Sequence, residues 1–165
     1  MNNKDILKYI DRDETVALLQ EMVQFKTVNE PGDEKPLAEF IKAKLEAFGI
    51  DAYIDDVRGR IKGSGEREAL LFNGHLDTVP PGDIEWKHSP YSGALEDGKI
   101  YGRGSADMKG GLAAMLMALK AVKKAGLELK GDFIYSATAG EETDSIGAVK
   151  FVKDGGLDGV GAIII

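Results

Sequence analysis

His75 and Asp77 stand two positions apart at the end of an apolar run, Leu70-Leu71-Phe72, and Pro80-Pro81 stop the chain soon after. Imidazole and carboxylate at this spacing are metal-site chemistry. In extended backbone residues i and i+2 share a side, and a ligating histidine usually gives its second N–H to a carboxylate or carbonyl. A lone His-x-Asp is more often a solvated surface pair. Two further clusters change the balance: Asp107, just ahead of an apolar helical stretch, and Glu141-Glu142, just after a strand-like one. Alone, Asp107 can simply cap a helix and the glutamates can form a charged loop. Together they have a chemical logic. Asp107 has two oxygens with which to bridge metal ions about 3.5–4 Å apart. His75 offers a nitrogen to one ion, and Glu142 a carboxylate to the other. Glu141 is then left over as a general base, able to take a proton from attacking water and pass it to a leaving nitrogen. Carboxylates so close raise one another's pKa, and divalent cations remove that cost.

Composition narrows the options. Among the 165 residues there is no cysteine, so disulfides and thiolate metal sites are excluded and any ion must sit on His, Asp and Glu. The net charge of −7 and pI near 4.9 argue against nucleic acid and anionic membranes as partners. No apolar run has the length of a membrane span, and the polar N-terminus lacks the apolar segment of a signal peptide, so a cytoplasmic location is expected. Gly102 and Gly104 with Gly110-Gly111 suggest a phosphate loop, but neither G-x-G-x-x-G nor a P-loop lysine–serine pair is present.

The elements that must position these residues can be read from periodicity. A helix capped by Asp13 is expected over residues 13–25, and a second from Pro36 to residue 48, stopped by Gly49. Residues 50–57 read as a strand, Arg58-Gly59-Arg60 as a turn, and the next strand ends at His75. Residues 80–98 form a long loop pinned by Trp86 and Tyr91, with His88 a loop residue nearby. Asp97-Gly98 signals a hairpin. A helix over residues 108–124, apolar nearly all round between 112 and 119, should lie buried between layers and end at Gly126. A strand over residues 132–137 and a helix to residue 153, capped by Asp144 or Ser145, follow. Ile163-Ile164-Ile165 reads as an interior strand that nothing later in the sequence covers, so the chain is expected to be the N-terminal portion of a larger protein. Alternating strands and helices give an α/β sheet with helices on its faces.

Three blocks now match a known pattern: Gly74-His75-Leu76-Asp77-Thr78-Val79-Pro80, Tyr101-Gly102-Arg103-Gly104-Ser105-Ala106-Asp107-Met108-Lys109-Gly110-Gly111, and Gly140-Glu141-Glu142. The chain resembles, from about residue 13 onward, the dinuclear zinc metallohydrolases that include aminoacylases, acetylornithine deacetylases, succinyl-diaminopimelate desuccinylases and glutamate carboxypeptidases. The resemblance implies a three-layer zinc-exopeptidase-like α/β domain with a largely parallel mixed sheet, incomplete at its C-terminus. It implies two zinc ions (cobalt or manganese as substitutes) on His75, Asp107 and Glu142, with Asp107 bridging, Glu141 as general base and Asp77 orienting His75. It also implies a cis peptide after Asp107, and two further ligands and a lid and dimerisation domain beyond residue 165. The expected activity is hydrolysis of an amide bond in an N-acyl amino acid or short peptide, by a homodimer. Two alternatives stand beside it: a non-catalytic fragment with incomplete metal sites, or a dipeptidase or aminopeptidase.

Overall fold

The computed structural model describes residues 6–54 and 57–165. A 3-10 turn, Leu7–Tyr9, leads into α1, Arg12–Gln24. Asp11 caps this helix rather than Asp13: its backbone is extended and its carboxylate accepts the Glu14 N–H at 2.8 Å, which leaves Asp13 inside the first turn. In α2, Lys35–Ala47, Pro36 occupies the first turn, and Gly49 follows with φ of 76°.

The clearest departure from expectation comes next. β1, Asp51–Tyr53, pairs antiparallel with β2, Val57–Ile61, so Arg58-Gly59-Arg60 lies within a strand and not in a turn. Residues 55 and 56 of the strand expected over 50–57 lie outside the described residues. Gly59 is required by packing: a Cβ there would meet Leu45 Cδ2 at 2.9 Å, where α2 presses on the strand.

Among the described residues the main sheet has five strands in the order β1-β2-β6-β3-β7, with β3 as Ala69–His75, β6 as Phe133–Thr138 and β7 as Val160–Ile164. β3 is parallel to both β6 and β7, while β2 pairs antiparallel with β6. Alternation along the strands makes two cores. Phe72, Phe133 and Tyr135 face the larger one with α3, Gly110–Ala125, whose Leu112, Leu116 and Leu119 are fully buried. Leu71 and Ile134 face Phe151 of α4, Ile146–Lys153, on the opposite side. Helices therefore cover both faces, with α1 packed on α3, and the three-layer α/β expectation holds. Ser145 holds the N-cap position of α4 but its side chain makes no capping bond, and the Asp144 carboxylate accepts the Ile146 N–H at 3.1 Å in its place. β7 is an edge strand among the described residues, with Ile163 and Ile164 half exposed, so the interior position expected for the isoleucine run is not seen there.

A separate hairpin, β4 (Ala94–Glu96) and β5 (Lys99–Tyr101), turns at Asp97-Gly98 with both φ angles positive, as the dipeptide signals. Trp86 anchors the preceding loop through Nε1 on the Pro81 carbonyl and lies under Arg103. No helix among the described residues is long and apolar enough to cross a membrane.

Candidate metal centre

Strand pairing alone brings two of the clusters together. His75 and Thr138 are register partners at the carboxyl ends of β3 and β6. The loops leaving these ends carry Asp77 and Glu141-Glu142, the usual place for a site in an open α/β sheet. Asp107 arrives from elsewhere. Ser105–Lys109 is a wide π-type turn in which Asp107 (φ −122°, ψ 100°) and Met108 are non-helical, so α3 begins only at Gly110 and Asp107 does not cap it. Asp107 instead reaches His75, with Oδ1 3.0 Å from Nε2. The Asp107–Met108 peptide is cis, as the resemblance implied.

One nitrogen or oxygen from each of His75, Asp107 and Glu142 lies within 4.8 Å of the others. A buried imidazole and two carboxylates, one of them largely exposed, suit a divalent cation. His75 is oriented from behind: Nδ1 is 3.0 Å from the Asp77 carbonyl oxygen and 3.4 Å from its carboxylate. With Nδ1–H donating on that side, Nε2 is directed toward Asp107 and Glu142, where a cation can take the place of its proton.

The Asp77 carboxylate has a second task. It is fully buried and accepts the Glu141 N–H at 3.1 Å, the Glu142 N–H at 3.0 Å and the Asn29 side-chain amide at 3.0 Å. Asp77 therefore holds in place the backbone that presents Glu141 and Glu142. Burial by itself would raise its pKa, but the hydrogen bonds from His75, Asn29, Glu142 and Glu141 keep it well below the ordinary carboxylate range. Burial likewise pulls His75 down, yet hydrogen bonds with Asp77 and Asp107 and the charges of Asp77 and Glu141 push it up to about 9. Glu142 is raised by burial, and the neighbouring Asp107, Glu141 and Asp77 add to this against the pull of His75. Such a cluster favours any positive charge placed within it.

All five residues singled out from the sequence thus meet at one sheet end. Three participants were not foreseen. Asn29 also bonds Thr143 at 3.2 Å and so ties the 27–32 loop to the glutamate loop. Met108 Sδ accepts the His75 backbone N–H at 3.2 Å, and Lys109 is buried beneath the turn. In the sequence Asn29 lay in a plain loop-breaking run, which carries no signal of a partner 48 residues away. His88 belongs elsewhere, 2.7 Å from Glu96 and tilted against the Tyr101 ring at 4.8 Å between centroids.

Comparison with known proteins follows the same lines. Residues 71–165 match the family described as "Peptidase family M20/M25/M40". Over 163 residues the chain is 35% identical to a Staphylococcus epidermidis protein named "Probable succinyl-diaminopimelate desuccinylase", covering 94% of this chain and 40% of that one. It is 33% identical over 155 residues to the Bacillus subtilis N-formyl-4-amino-5-aminomethyl-2-methylpyrimidine deformylase, covering 87% and 36% of the two chains. Among solved structures, an M20 family metallo-carboxypeptidase from Sulfolobus solfataricus superposes with a TM-score of 0.77 at 26% identity, over 92% of this chain and 37% of that one. The chain thus spans about 40% of the length of the curated relative with which it shares 35% identity.

Proposed function

Because the chain belongs to the peptidase family M20/M25/M40, we propose that the intact protein is a metal-dependent hydrolase of amide bonds in N-acyl amino acids or short peptides. The observation that carries this reading is the convergence of His75, Asp107 and Glu142 within 4.8 Å, with Glu141 adjacent and left over. His75 and Glu142 would each hold one ion and Asp107 would bridge the two. Zinc is the ion proposed, with cobalt or manganese as substitutes. Bound there, the ions would polarise the scissile carbonyl and make water acidic enough to lose a proton near neutral pH. Glu141 is the base that accepts this proton. It then donates the proton to the nitrogen of the departing amine, so the carboxylate ends as it began. Its backbone N–H bond to Asp77 fixes where it stands, and its exposed side chain leaves it free to swing between water and leaving group.

The share of each relative's length covered here supports a longer protein, in which the 165 residues are the N-terminal portion of the catalytic domain. Further ligands and a lid domain through which two copies pair would come from the rest, and a cytoplasmic location suits the composition. Glu141→Gln in the intact protein tests the assignment. Zinc per chain should stay at the unmodified level while turnover falls about 10²–10⁴-fold; near-normal turnover removes Glu141 as the base. His75→Ala should instead lose metal. Within that substrate class, the similarity to a carboxypeptidase favours short peptides as in a dipeptidase or aminopeptidase, and a panel of N-acyl amino acids and dipeptides separates this from deacylation. Zinc content and turnover of the 165-residue chain alone show whether this portion is catalytic by itself.

A further inference from the structure

Lys109 is fully buried, and the chemistry proposed above does not use it. Its ammonium donates to the Phe25 carbonyl at 2.7 Å and has no carboxylate within ion-pair distance among the described residues. Phe25 is the C-cap of α1, so its carbonyl is one of those a helix end leaves without an intrahelical partner, and the negative end of the helix dipole suits a cation. The stem of Lys109 runs past Gly104, where a Cβ would lie 3.3 Å from Lys109 Cδ and 2.6 Å from Thr78 Cγ2. Its backbone N–H donates to the Gly104 carbonyl at 2.8 Å, closing the turn that carries Asp107.

The Phe25 end leads back to the other side of the centre. Two residues on, the Thr27 hydroxyl donates to the Leu76 carbonyl at 2.8 Å, and the Thr27 carbonyl accepts the Thr78 N–H at 2.9 Å. Asp77 is therefore gripped on both sides by Thr27, and next in line Asn29 bonds its carboxylate. These contacts form a closed circuit from Asp107 through Lys109, Phe25 and Thr27 to Asp77 and His75. We infer that Lys109 is a positioning residue, whose ammonium sets the separation between His75 and Asp107 by locking the Asp107 turn onto the end of α1. The inference rests on the proposed reaction only for its kinetic consequence; the geometric part stands on the fold.

Lys109→Met keeps the aliphatic stem against Gly104 and removes only the ammonium. In intact protein labelled with ¹⁵N-histidine, the His75 ring signals, assigned by their loss in His75→Gln, should shift or broaden without added metal, while those of His88 stay in place. With zinc added, kcat should fall about 10–100-fold, as for other residues that support a ligand from behind, with KM little changed. An unmoved His75 signal together with unmodified kcat, even with a lowered melting temperature, overturns the inference. Should Lys109→Met not fold, Thr27→Val cuts the next link: a moved His75 signal and lowered kcat support the circuit, and unmodified values overturn it. Failure of the hydrolase reading would show separately, as an unmodified protein that neither retains zinc nor turns over amides.

Discussion

Replacing Asp77 with asparagine changes almost no volume, yet it removes one acceptor from a site that is entirely donors. One carboxylate oxygen accepts the Glu141 N–H, and the other accepts the Glu142 N–H and the Asn29 amide. Whichever way an asparagine amide lies, its NH₂ faces at least one N–H. The better orientation gives up the Glu141 bond, worth about 1.5–3 kcal/mol because the acceptor is charged, and sets the NH₂ beside His75 Nδ1, 3.4 Å from that oxygen. The two bonds that remain become neutral and lose about half their strength. The gross loss is then about 3–4 kcal/mol, and relief from burying a carboxylate brings the net to about 2–3 kcal/mol. For a domain of this size that is a melting temperature lower by about 4–12 °C. The released Glu141–Glu142 backbone and the less firmly oriented His75 should lower zinc affinity about 10–100-fold, measured by competition with a chromophoric chelator. Asp77→Asn with a melting temperature within about 1 °C and zinc affinity within about twofold of the unmodified protein would refute the claim that Asp77 holds both histidine and glutamate loop.

Other perturbations have equally definite outcomes. The raised pKa of His75 means that a cation must displace a proton below about pH 9, so zinc affinity should rise about tenfold per pH unit up to that point and then level off, as pH-resolved titration would show. In the metal-stripped protein the sign reverses. The stabilisation from protonated His75 is complete below its ordinary value of 6.5 and is lost as pH rises through about 9, so thermal unfolding at pH 9.5 should come earlier than at pH 6 by this contribution. Gly74→Ala would place a Cβ 2.7 Å from Met108 Cε and 2.8 Å from Leu112 Cδ2. It should cost about 1–3 kcal/mol in denaturant unfolding and also weaken zinc binding, because Met108 adjoins Asp107.

Much of this protein was open to reading from the order of its residues. The local rules of capping, left-handed glycine and hairpin turn act within four or five residues. They placed Pro36 in the first turn of α2, Gly126 after α3 and the Asp97-Gly98 turn. The chemistry of the site was legible for a related reason. His75, Asp107 and Glu141-Glu142 are rare combinations of donor types, each sitting beside a recognisable strand end or helix start.

Tertiary structure decided the rest, because the forces involved join residues far apart along the chain. Gly59 reads as a turn residue until α2 is laid across it, when the missing Cβ becomes a matter of clearance from Leu45. The start of α3 moves from residue 108 to 110 because Asp107 is held toward His75, which local helix propensity cannot register. The sheet order that makes His75 and Thr138 neighbours, the Asn29 amide on Asp77 across 48 residues and the Lys109 ammonium on Phe25 across 84 all arise from burial. Buried polar groups such as these need partners, and only the folded chain determines which one is within reach.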